Sequence, residues 1–108
     1  MLQLVAQGVN GDLTGAVVEA SGPVAVFSGH DHVYERIRPQ RGIYYFVSGA
    51  AGQLRKGDLQ RSSLTSAGYD QDMSFMLVEV GTDTLSIQAI SRTGRTVDSA
   101  TLPRQTHR

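Results

Sequence analysis

The sequence predicts a mostly-β α/β domain: one short helix, a buried strand, then mainly antiparallel strands. Three observations carry this. The stretch "GDLTGAVVEASGP" has helical spacing with a start and a stop signal. "VAVFSG", straight after it, is apolar without alternation, as a strand buried on both faces would be. The last third alternates apolar and polar residues between short turns. A helix feeding a buried strand is a fragment of α/β architecture. The predicted layering is a helix on a sheet, with a second sheet behind.

Residues 1–11 carry little pattern. In the predicted helix, Asp12 accepts from the first-turn amides. Leu13 and Val17 share one face, as do Ala16 and Ala20. Ser21, Gly22 and Pro23 end it, because proline cannot continue a helix; Gly15 weakens its start. "HVYERIRP" is the next strand, ending at Pro39, and "GIYYFVSGAAG" follows, rich in aromatic and β-branched residues. "PQRG" between them is a hairpin turn. Residues 51–73 are polar and rich in glycine and serine, a long connection of the kind that carries function or moves. "SFMLVEV", "TLSIQAIS" and "RTVDSATLP" then form a meander. In the second of these, Leu85, Ile87 and Ala89 share one face and Thr84, Ser86 and Gln88 the other.

The organisation is one partial domain over 1–108. It divides into an N-terminal segment with the helix (1–22), a strand, loop and hairpin (23–50), the connection (51–73), the meander (74–102) and a tail (103–108). At 108 residues, with 40% hydrophobic and 19% charged, the chain fits a single soluble domain. Ten basic side chains balance ten acidic ones, which argues against a nucleic-acid partner. No apolar run approaches the length of a membrane span. Cysteine is absent, so any metal must take nitrogen and oxygen ligands. The first residues lack the basic and apolar regions of a signal peptide. The sequence leaves localisation open.

Two of the three histidines, His30 and His32, follow the apolar strand and Gly29. Open α/β sheets place ligands just past the carboxyl ends of such strands. Residues two apart in extended chain lie roughly 6–7 Å apart at Cα. Both rings then lean to one side, a spacing that suits two neighbouring metal ions about 3.5–4 Å apart. Imidazole suits zinc, iron and similar ions. A bare His-x-His also occurs often as a solvated polar turn, and the pair alone leaves both readings open.

The longer block "FSGHDHVYERIRPQRGIYYFVSGAAGQLR" resembles the last signature block of calcineurin-like metallophosphoesterases. It is most similar to the purple-acid-phosphatase-like branch, whose block reads Gly-His-x-His followed by Tyr-Glu-Arg. The match covers residues 24–55. It implies the C-terminal half of a metallophosphoesterase-type α/β sandwich, with two metal ions (iron, manganese or zinc) in the intact enzyme. His30 would bind one ion and His32 the other. Gly29 and Asp31 would support the loop, with Asp31 turned from the metals. Tyr34, Glu35 and Arg36 match the block and are read as structural. The implied reaction is hydrolysis of a phosphate ester by in-line displacement, with both metals stabilising the developing charge. Arg55 and Lys56, in the connection, are candidate contacts to substrate phosphate.

The family's other ligand blocks are missing. There is no Asp-x-His, no Gly-Asp-x-x-Asp and no Asn-His-[Asp/Glu], and no further histidine precedes Gly-His-x-His. "NGDLTG" contains Gly-Asp but lies close to His30 and opens the predicted helix. His107 lies in the tail. The expectation is a C-terminal segment of a phosphoesterase, inactive alone, whose partner is a missing N-terminal half or a second copy. Two alternatives stay open. One is a non-catalytic β-rich binding or assembly module. The other is a small metal-binding protein completed by oligomerisation. This chain alone is expected to bind metal weakly or not at all.

Overall fold

A computed structural model describes residues 3–7, 15–19 and 23–103. Among them, nine strands form two sheets, and no helix is present. The first sheet holds β1 (Gln3–Gln7), β2 (Gly15–Glu19), β3 (Pro23–Ser28), β4 (Tyr34–Gln40), β5 (Ile43–Ser48) and β6 (Thr65–Tyr69). Its spatial order is β1-β2-β3-β5-β4-β6. Only the β3–β5 pairing is parallel. The second sheet is the expected meander of β7 (Ser74–Val80), β8 (Thr84–Ser91) and β9 (Thr96–Pro103).

The predicted short helix is not formed: its centre is strand β2, paired antiparallel with β1 and β3. The register sets Val17 beside Val5 and Val26. Adjacent β-branched residues lose side-chain freedom in a helix and gain cross-strand packing in a sheet. Gly15 costs a helix about 1 kcal/mol relative to alanine. Long-range pairing therefore outweighs a weak local spacing. The cap residue Asp12, Leu13, Ala20 and the stop residues Ser21 and Gly22 lie outside the described residues, and Pro23 opens β3. β1 also forms where the sequence showed little pattern.

The connection expected over 51–73 contains a strand as well. β6 adds to the outer side of β4, with Tyr69 beside Tyr34 and Ala67 beside Arg36. β4 itself runs past Pro39 to Gln40, with a register shift between Ile37 and Gln40 that absorbs the proline. Arg41 and Gly42, at φ 56° and 77°, close a two-residue turn between the paired Gln40 and Ile43. Positive φ at both positions matches the twist of the flanking strands.

The core lies between the sheets. Ala25, Tyr34 and Phe46 from the first sheet meet Leu85, Ile87, Ala89 and Leu102 from the second. Phe27 stacks on Phe46 with centroids 5.3 Å apart. The face expected for β8 is the buried one. β3 is less enclosed than its composition implied. Ala25 is buried, but Val26 is half-buried and lines an open groove on the other face with Ile37, Tyr45, Val47 and Leu64.

The sheets are also joined by a polar clasp. Asp98, on β9, accepts the Tyr34 hydroxyl at 2.5 Å and Arg36 Nε at 2.9 Å on Oδ2, and Arg36 Nη2 at 3.2 Å on Oδ1. Tyr34→Phe keeps the buried ring and removes one donor to a charged acceptor. It should cost about 1.5 kcal/mol of stability in urea unfolding; an unchanged midpoint would deny the hydroxyl any role.

Candidate functional site

The site forms where two chain segments meet beyond the carboxyl end of β3. The first is the loop 29–33. Its left-handed residue is His30, at φ 79°. Gly29 does not take that conformation, and a Cβ added there would meet nothing within 4 Å. A histidine in this region is sterically disfavoured by about 1–2 kcal/mol, so the surroundings must impose it. They do so through Gly49, just past β5. A Cβ at Gly49 would lie 2.1 Å from the Asp31 carbonyl oxygen and 2.9 Å from its carbon. Only glycine lets the two backbones come this close. Val33 N donates to Asp31 O at 2.9 Å, and Gly49 N to Val33 O at 3.1 Å.

The second segment is 51–64. Arg55 N donates to the His32 carbonyl at 3.1 Å. Asp58 N donates to Arg55 O at 3.1 Å, and Gly57 between them has φ 81°. That is a type II turn with its glycine at the required position. Further along, Leu59 N donates to Asp70 Oδ2, and the Leu59 side chain lies over Gly68. This backbone bond to Leu59 is the main reason the Asp70 carboxyl sits below its usual range.

Together the segments line an open hollow with His30, Asp31, His32, Arg55 and Asp58. His30 projects into solvent with its side chain 95% exposed, and its Nδ1 lies 3.5 Å from Asp31 Oδ1. His32 is half-buried, and its Nδ1 is buried without a hydrogen-bond partner. A buried polar atom left unpaired is costly, and functional sites are where such atoms persist. The carboxylates of Asp31 and Asp58 outweigh the one guanidinium, of Arg55, in the hollow. That balance favours a cation over an anion.

Four residues singled out in the sequence, His30, Asp31, His32 and Arg55, thus come together. Asp31 is among the lining residues, with its side chain 75% exposed, while its carbonyl also holds the loop. Lys56 is not among the lining residues. Its charge acts on Asp72, whose carboxyl is held low mainly by the Arg92 side chain and secondarily by the Met73 amide. Asp58 was missed; the signal was "RKGD", a turn that folds the aspartate back towards Arg55. Tyr34 and Arg36 face the Asp98 clasp, and Glu35 accepts the Thr65 hydroxyl on the opposite face. His107 lies outside the described residues.

The donor set fits half of a metal centre. His30 and His32 offer imidazole nitrogens, one of them unpaired. Among the described residues, no three His, Asp or Glu side chains converge to hold an ion.

No protein-family model matches the chain. Over 97 residues it is 27% identical to tartrate-resistant acid phosphatase type 5 of Rattus norvegicus, covering 82% of this chain and 29% of that protein. The likeness supports a metallophosphoesterase relationship. The chain spans less than a third of the length of the relative it matches.

Proposed function

We propose that this chain is the C-terminal segment of a dinuclear-metal phosphoesterase of the purple-acid-phosphatase-like branch, and that it is inactive by itself. The observation that carries the reading is the strained loop after β3. It presents His30 and His32 together, with His32 Nδ1 buried and unpaired. In the intact protein these two side chains would each hold one metal, iron, manganese or zinc. Bound metal would supply charge stabilisation at the phosphoryl group. Arg55 would bind phosphate oxygens with its planar fork of donors. Asp31 and Asp58 would keep the hollow attractive to cations.

The rest of the centre would come from the preceding part of a longer polypeptide. The likeness to a protein of which the match covers only 29% supports this. So does the apolar face of the first sheet, where Val26, Ile37, Tyr45 and Val47 are only half-buried and Leu64 is 46% exposed.

The test is metal content by elemental analysis after equilibration with manganese, iron and zinc and removal of excess, with phosphate-ester hydrolysis assayed in parallel. The reading predicts well under one retained ion per chain and no hydrolysis. About one ion or more per chain, lost in a His30→Ala/His32→Ala variant, would mean that the site is complete in this chain or its oligomer and would overturn the reading.

A further inference from the structure

We infer that Asp98 is a positioning residue for the His30–His32 loop, acting through Tyr34 and Arg36. Its functional meaning rests on the metal-ligand reading above. The physical argument stands on the clasp. Asp98 lies 64 residues from Tyr34 in sequence, on the other sheet, yet both of its oxygens are engaged by β4. The Arg36 fork takes both oxygens, and the Tyr34 hydroxyl shares one of them. The Asp98 side chain is 11% exposed. Such charge-assisted, two-pronged bonds fix orientation as well as adding energy.

The loop 29–33 has little to hold it from within. His30 and Asp31 project into solvent, and Val33 is its one buried side chain. Its shape is therefore set by its ends and by three backbone bonds. These are Val33 N to Asp31 O, Gly49 N to Val33 O and Arg55 N to His32 O. At the far end, Tyr34 enters the core directly, two residues after His32. Its ring is buried between the sheets, and its hydroxyl is fixed on Asp98. Arg36 fixes the next inward position of the same strand. The clasp thus sets how β4 leaves the loop, and with it the left-handed turn at His30. Without the carboxylate, a buried hydroxyl and a guanidinium both need new partners, and the start of β4 is the part that must give.

The test is amide hydrogen exchange by NMR on the chain as it stands, comparing the parent with Asp98→Asn and with the milder Tyr34→Phe. The expected result for Asp98→Asn is at least tenfold faster exchange at Val33, Gly49 and Arg55, relative to any change at Leu85 and Ile87 in the centre of the second sheet. Tyr34→Phe should move the same three amides in the same direction, by less. A general loss of stability would speed all five amides by one common factor, and that result would overturn the inference. Zinc addition to the parent is scored separately on the His30 and His32 ring signals. Unmoved signals would count against the metal reading, while the exchange ratios alone decide whether Asp98 positions the loop.

Discussion

Gly49→Ala is expected to destabilise the chain by about 3 kcal/mol, through strain at a backbone contact that cannot relax. The new Cβ would sit 2.1 Å from the Asp31 carbonyl oxygen. That oxygen belongs to main chain, so no rotamer change relieves the clash. Either β5 or the histidine loop must move. Moving the loop breaks the Gly49–Val33 and Val33–Asp31 bonds and shifts His30 and His32. For a domain of this size the melting temperature should fall by roughly 12–24 °C. Gly29→Ala is the control, since its Cβ would meet open space in the same loop. It should stay within about 0.5 kcal/mol of the parent. Gly68→Ala is intermediate, because the atom it meets is the end of the Leu59 side chain, which can swing aside. Equal midpoints for Gly49→Ala and Gly29→Ala would show that the loop does not rest on β5.

Asp98→Ala should cost about 2–4 kcal/mol at neutral pH. It strands two polar groups between the sheets, tempered by the partial exposure of Arg36. The effect should depend on pH in a definite direction. Burial pushes the Asp98 carboxyl up, but the bonds from Arg36 and Tyr34 outweigh it and hold the group below its ordinary value of 3.8. A carboxyl lowered in the fold stabilises fully above the unfolded value, and loses that contribution as pH falls through the folded one. Asp98 therefore protects at pH 7 and progressively less below pH 4. Asp70 and Asp72 are shifted the same way, but solvent screens both at the surface, so the acid sensitivity rests on Asp98. The share owed to Asp98 is the gap between the parent and Asp98→Ala, measured by urea unfolding at pH 7 and pH 3. The gap should narrow in acid; a gap of constant size would show that the charge is not what matters. At the alkaline end, burial first and the Asp98 bond second raise the Tyr34 phenol. Its contribution is lost as pH climbs above 10, where the unfolded phenol ionises.

Most strands and most of the half-site are legible in the sequence because they rest on local chemistry. "TLSIQAIS" alternates, and its apolar set is the buried set. "PQRG" places a glycine where the hairpin needs positive φ. The histidines and Arg55 are singled out by residue type, and the turn that brings Arg55 to them needs only Gly57. What the sequence hides depends on distant partners. "GAVVE" is as compatible with a helical stripe as with a strand, and the neighbours that decide, β1 and β3, are contributed from elsewhere. "TSAGY" has too little apolar character to announce β6, which forms by adding to the edge of β4. Asp98 sits in the polar run "TVDSATLP" with nothing local to mark it. Its meaning appears only when β9 crosses over Tyr34 and Arg36. The "VYER" block is thus explained by packing: its tyrosine and arginine hold β4 to the second sheet, just beyond the histidines.

The central claim, that His30 and His32 form the ligand half of a metal centre, is tested most directly by following both imidazole rings by NMR as zinc is added to the chain. The account predicts that both rings shift, saturably and weakly, as single ligands of two separate ions should. It also predicts that His32→Ala leaves the response of His30 in place, since each ring holds its own ion. Rings that both stay unmoved at excess zinc would contradict it and leave the pair as a polar turn.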